Sequence, residues 1–378
     1  MTDIGRKKVI GEGGKKSSPD LKARYGALDG LRTLACIGIV LMHIKSNVSV
    51  KPSATWVMDN VISFTGNFVL LFMMISAFSV SCGYFERFRN GTISLDSFYK
   101  KRYSRILPFF ALLVVIDILQ TAMSERFCLT ESMSAELYEA YADLTLAFGL
   151  LPGANISVIG VGWFLGVIFL FYMLYPFFTF LLNTRRRAWF VLAVMIGLWI
   201  CLHNYFIPVK GVVSGYTNII LCAPYFILGG MIYLYRIDIS TICKRMFMRI
   251  SIYRWLVLAT LFYTILFFAI PLIRKIPFSQ LVLYALWLVT AISDSSMWSR
   301  FSLLDNKFMA FISSVSMEIY LCHMMLFRIV ERCHLDSLLT DNDMYYWAVS
   351  LFVMVGAIMF SLIWKLIWTR ITSVQKCI

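Results

Sequence analysis

The sequence predicts an all-α fold, a polytopic membrane helical bundle of about ten transmembrane helices with both termini cytoplasmic. Three observations lead there. Apolar residues make up 60% of the 378 and charged residues only 15%, against about 45–50% and about 25% in soluble domains. The apolar residues gather in blocks of roughly 17–24, the length that crosses a ~30 Å hydrocarbon core. Lys and Arg gather in alternate connections between those blocks. Together these exclude a soluble enzyme, a secreted disulfide scaffold and a disordered chain.

In order, the spans read 28–45, 61–84, 104–122, 160–182, 188–207, 217–235, 254–273, 278–295, 308–329 and 345–368. Residues 1–24, rich in Gly, Ser and Lys, read as a disordered basic cytoplasmic tail with no cleavable signal segment. Residues 25–372 read as one membrane domain and 373–378 as a cytoplasmic end, without internal repeats. The longest connection, 123–159, contains Pro152, Gly153 and Asn155, and its run 144–151 suits a short interfacial or re-entrant helix. The nine cysteines include no Cys-x-x-Cys pair, and several (Cys36, Cys82, Cys222, Cys322) lie inside apolar blocks. They read as small apolar fillers, and no metal site is expected.

With the N-terminus inside, 26 of the 35 Lys and Arg fall in inner segments and 8 in outer ones, Arg32 lying within the first span. That is the asymmetry expected of a protein whose basic loops stay in the cytoplasm. Glu125, Glu131, Glu136, Glu139 and Asp143 lie in one outer connection. The net charge of +14 is therefore mostly topology facing anionic lipid, and nucleic acid is not an expected partner.

Charged groups inside spans cost at least a few kcal/mol on insertion scales, so those present point to a cavity or a partner. Arg32 and His43 are eleven residues apart in the first span, which returns them to within about 20° of one face, about 16 Å apart along the axis. Asp29 lies three residues before Arg32, close enough to orient its guanidinium. In the third span Arg102 and Arg105 share a face next to Pro108, and two forked guanidiniums suit a phosphate-rich ligand. Lys100 and Lys101 read as ordinary inner-loop cations. In the ninth span Ser316, Tyr320 and His323 share a face. For Ser316 and Tyr320 the plainer reading is polar glue between helices. Glu318 is turned away from that face, and Asp117 is an isolated acid whose partner the sequence does not specify.

These residues resemble the acyltransferase type 3 family of integral membrane O-acyltransferases. Leu28-Asp29-Gly30-Leu31-Arg32 through His43 is similar to the family's first-helix pattern of a basic residue, ten others and a histidine. Leu71 through Phe78, Arg102-Tyr103-Ser104-Arg105-Ile106-Leu107-Pro108, Trp163-Phe164-Leu165 with Tyr172 and Pro176, and Ser316 through His323 resemble four later elements, in order. Three departures stand out. Ala77 replaces a usual Gly, Ile168 stands where many members carry Glu, and the esterase-like domain that some members carry after the last span is not expected here.

The resemblance implies acyl-CoA, usually acetyl-CoA, as a donor substrate from the cytoplasm, with no permanently bound cofactor. The acceptor it implies is a hydroxyl of a cell-envelope glycan or lipid-linked sugar in the bacterial cytoplasmic membrane, with separate glycan-assembly proteins as possible partners. Arg32, Arg102 and Arg105 are then expected to hold the CoA phosphates. His43 is expected to act as general base on the acceptor hydroxyl, a covalent acyl-histidine relay remaining open. Asp29, Trp163, Tyr172, Ser316, Tyr320 and His323 are supporting or acceptor-side candidates. The competing reading is a proton-coupled transporter using His43, Asp117 and Glu318 as a relay.

Overall fold

The computed structural model describes residues 25–128, 130–151, 157–211, 218–248, 250–293, 303–333, 339 and 341–374. The expected tail, 1–24, and the last four residues lie outside them. The described chain is helical almost throughout, with one two-residue hairpin, β1 (Met246–Phe247) and β2 (Ile250–Ser251).

Each expected span has a helical counterpart. The helices are α1 (Gly26–Asn47), α2 (Phe68–Arg89), α3 (Leu95–Ser124), α4 (Glu131–Thr145), α5 (Trp163–Met173), α6 (Tyr175–Leu181) and α7 (Arg185–Cys201). They continue as α8 (Ile219–Cys243), α9 (Ile252–Ala269), α10 (Pro271–Lys275), α11 (Ser279–Ser293), α12 (Lys307–Glu331) and α13 (Asn342–Val374). Eight are long and apolar enough to cross a membrane, α2 and α7 counted with the π or 3-10 turns that extend them, and α5 with α6 makes a bent ninth. The apolar α11, at 15 residues, is shorter than a full crossing. Polar caps start several helices where the apolar blocks begin. The side chains of Ser94, Thr184, Asn218, Ser251 and Asn306 accept the backbone N–H of Ser97, Arg187, Ile220, Arg254 and Met309, answering donors the first turn leaves open.

Two close approaches set the centre. A methyl group on Gly229 of α8 would lie 2.2 Å from the Met74 carbonyl oxygen, so α2 and α8 meet backbone to backbone there. Small residues allow this in membrane bundles, where packing rather than water exclusion holds helices together. Helices α1 and α12 run side by side, joined where the Cys36 thiol meets the Ser316 carbonyl at 3.5 Å and the Thr33 hydroxyl the Met309 carbonyl at 2.8 Å.

Two expectations for 123–182 need correction. The run 144–151 is not itself a helix. The helix lies earlier, as α4, capped by the Thr130 hydroxyl and closed by Leu146 at φ 56°, and a short 3-10 turn, Phe148–Leu150, follows. Acidic composition hid α4 from a hydropathy reading. The segment does turn inward: the Tyr103 hydroxyl donates to the Thr145 carbonyl, Phe148 stacks on Phe110, and Gly149 packs directly on Gly166. The single span expected over 160–182 is instead bent by 57° between α5 and α6. Pro176 lies in the first turn of α6, where its missing N–H and its ring break the ladder to Tyr172. The beginning of α5 sits deep in the bundle, because the Val161 carbonyl accepts the Tyr320 hydroxyl from the middle of α12.

Candidate active site

Helices α1, α2, α3, α5 and α12 line a half-open cavity of about 390 Å³. Arg32, Arg102, Arg105, Tyr172, Ser316 and Tyr320, singled out separately in the sequence, all line it. The side chains reach it from stripes of their helices that face one another, Arg105 at the exposed edge, a condition that five apolar helices satisfy together only when packed.

Each guanidinium is held differently. Arg32 donates to the Ser79 hydroxyl and lies 3.5 Å from the Asp29 carboxylate, which in turn accepts the Ser313 hydroxyl at 2.9 Å. Asp29 thus does not line the cavity but orients the cation that does. Arg102 donates to the Tyr84 hydroxyl at 2.9 Å and lies over the rings of Tyr84, Tyr172 and Phe98 at 4.8, 5.6 and 5.7 Å. Its buried Nε has no partner among the described residues. Arg105 is exposed and, among the described residues, has no carboxylate within ion-pair distance. Three cations against one carboxylate leave this end of the cavity positive, a setting for a multiply charged anion.

The sequence reading missed Ser79, Tyr84 and Ser313, all of which line the cavity. A signal existed: Ser76, Ser79 and Gly83 recur on one face of α2, a small and polar stripe inside an otherwise apolar helix. Ile168 also lines the cavity and makes an apolar wall there.

Beyond the cavity lies a histidine pair. Cys36 and Ser316 are joined, and His43 and His323 each stand seven residues further along their parallel helices, about 10 Å. Their rings meet edge to face with centroids 5.2 Å apart. His323 is fully buried, and its Nδ1 donates to the Tyr320 carbonyl at 2.6 Å, since a carbonyl can only accept. Its Nε2, buried as well, has no partner among the described residues. Neither histidine lines the cavity. Tyr320 stands between, its ring 6.0 Å from His323 and 5.7 Å from Phe164. Trp163 also stays outside the lining, its ring 6.1 Å from that of Phe164.

The intramembrane acids are occupied elsewhere. Asp117 accepts from Arg328 of α12, and Glu318 lies 3.9 Å from Lys365 of α13. Neither makes a hydrogen bond or ion pair with His43, so no relay of the transporter kind is assembled among the described residues. In the connection before α5, Asp143 is fully buried, and its Oδ2 accepts both the Ser157 hydroxyl and the Val158 N–H at 3.0 Å. Burial pushes its carboxyl up to about 7.

A bundle of apolar, membrane-length helices with a cation-lined cavity and a histidine pair beyond it defines the class, an integral membrane protein. The chain matches the model of the acyltransferase domain family (acyltransferase type 3) over residues 25–366 and belongs to that family. It is an integral membrane acyltransferase. Neither the curated proteins nor the solved structures compared with it include a match.

Proposed function

We propose that this acyltransferase moves an acyl group, most simply acetyl, from acyl-CoA on the cytoplasmic side to a hydroxyl of a cell-envelope glycan or lipid-linked sugar in the bacterial cytoplasmic membrane. The observation that carries the reading is the convergence of Arg32, Arg102 and Arg105 on one cavity that ends below a histidine pair. CoA carries phosphate groups, and charge-assisted, forked hydrogen bonds are the strongest contacts a guanidinium makes with them. The extended pantetheine arm, roughly 15–20 Å by chain reach, spans a distance like the ~16 Å rise from Arg32 to His43. Its passage requires Tyr320 and Phe164 to part.

In the transfer step His43 takes the proton of the acceptor hydroxyl while the oxygen attacks the thioester carbonyl. The C–O bond forms, the C–S bond breaks, and the CoA sulfur leaves as a thiolate that takes up a proton. With Nδ1–H committed to a carbonyl, the bare Nε2 of His323 is an acceptor for an N–H of His43. Accepting it would fix the His43 tautomer so that the other ring nitrogen faces the hydroxyl.

Free CoA released by the purified protein from acetyl-CoA in the presence of an envelope glycan fraction, with O-acetyl groups found on that glycan by mass spectrometry, supports the reading. The His43→Ala protein, accumulated normally in membranes, is expected to lose roughly a hundred- to ten-thousand-fold of the rate. Unchanged transfer by that variant would exclude His43 as the base.

A further inference from the structure

A second depression of about 250 Å³ lies on the outside of the bundle, between α3, α12 and α13. Arg105 and Lys365 supply two cations, Glu318 one carboxylate, and Trp364 and Trp368 an indole wall. The two indoles stack with centroids 5.4 Å apart and planes 20° apart. Ile363 and Leu366, chain neighbours of its lining residues on α13, and Phe311, three residues before Ser314 on α12, are exposed, so apolar surface of the two helices adjoins the crevice. Arg105 is ten residues from the start of α3 and Lys365 nine from the end of α13. Both therefore lie towards the end of the bundle that the Lys and Arg count assigns to the cytoplasm.

Cations facing lipid are costly without a counter-charge. Glu318 answers Lys365 at 3.9 Å, and Lys365 also donates to the Ser314 carbonyl. Arg105 has no such answer among the described residues. We propose that this crevice binds the phosphate headgroup of an anionic glycerophospholipid of the cytoplasmic leaflet. Arg105 and Lys365 face the phosphate, and the indoles cover the glycerol and upper acyl chain. Basic pockets between helices at that depth suit lipid phosphates, and tryptophan favours the headgroup boundary. Arg105 also lines the larger cavity, so on the donor reading above one guanidinium serves both sites and lipid composition bears on donor binding.

Lipid retention tests the proposal without donor or acceptor, so its failure is separate from any failure of the transfer reading. The full chain is purified from detergent containing equal amounts of phosphatidylglycerol and phosphatidylcholine, and bound lipid is counted by native mass spectrometry. The wild-type protein is expected to retain phosphatidylglycerol preferentially. Lys365→Ala lowers that preference about five-fold, the worth of one cation at a membrane surface, and Lys365→Arg restores it. Trp368→Ala weakens retention of both lipids. Equal retention by the wild type, an undiminished preference in a monodisperse Lys365→Ala protein, or displacement of the lipid by millimolar inorganic phosphate would overturn it.

Discussion

At the scale of single residues, the chemistry turns on how each ionisable group is partnered. Arg32 and Arg102 are both restrained, one by Asp29 and Ser79, the other by Tyr84 and the aromatic rings around it. Replacing either Arg102 or Arg105 by Ala removes a charged hydrogen bond, each worth about 1.5–3 kcal/mol. Acetyl-CoA affinity, measured by calorimetry in detergent, is expected to fall roughly ten- to a hundred-fold while acceptor binding holds. On the proposed transfer reading His323 acts through His43 rather than on substrate, so its variants are expected to separate by hydrogen-bond capacity. His323→Gln retains an acceptor and is expected to keep part of the rate. His323→Leu, similar in bulk, is expected to lower kcat and distort the pH–rate profile while donor binding persists. A pH profile identical to wild type in His323→Leu would show that the orphaned nitrogen has no part in setting the base.

At the scale of elements, two pieces of backbone carry the site. The approach of α8 to α2 at Gly229 leaves no room for a side chain, the nearest obstacle being a carbonyl oxygen. Gly229→Val is expected to destabilise the bundle by about 1–3 kcal/mol, the usual range for overpacking, seen as a lower Tm in detergent. The second piece is the connection from α4 into α5, tied by Asp143 to Ser157 and Val158. Its carboxyl is raised from 3.8 to about 7, so the folded protein holds a proton there that the unfolded chain has released. Stability from this group is full below 3.8 and is lost as pH rises through about 7. Thermal melts of Asp143→Asn across that window are expected to lose this part of the pH slope. Helix α4 was not legible from hydropathy because four acids, Glu131, Glu136, Glu139 and Asp143, lower it along its length, although Thr130 at its cap and Glu131 behind it are a start signal in the sequence. A signal for the break between α5 and α6 lay in Pro176, which the single span expected over 160–182 did not use, and the 57° bend was not legible at all, since its angle depends on what each half packs against.

For the whole molecule, topology is the property with the most direct test. Cys128 and Cys333 are exposed in connections that the basic-residue count places on the outer face. A membrane-impermeant maleimide applied to intact cells is expected to label both, and to leave a cysteine introduced at Ser97 unlabelled until the membrane is opened. Labelling of Ser97→Cys in intact cells would invert the assigned orientation.

The sequence by itself determined that the chain is a helical membrane bundle, because span length and charge asymmetry are properties of consecutive residues facing one solvent, the bilayer. It also marked Arg32, His43, Arg102, Arg105 and His323, because an ionised or polar ring in an apolar span is costly wherever its neighbours lie. Only the tertiary structure decided which of these meet. Arg32, Arg102 and Arg105 share a cavity, while His43 and His323 pair outside it, two turns past the Cys36–Ser316 contact, with Tyr320 between. That separation follows from the parallel register of α1 on α12 and from the deep start of α5. Both are set by contacts between segments more than a hundred residues apart, where no local pattern reaches.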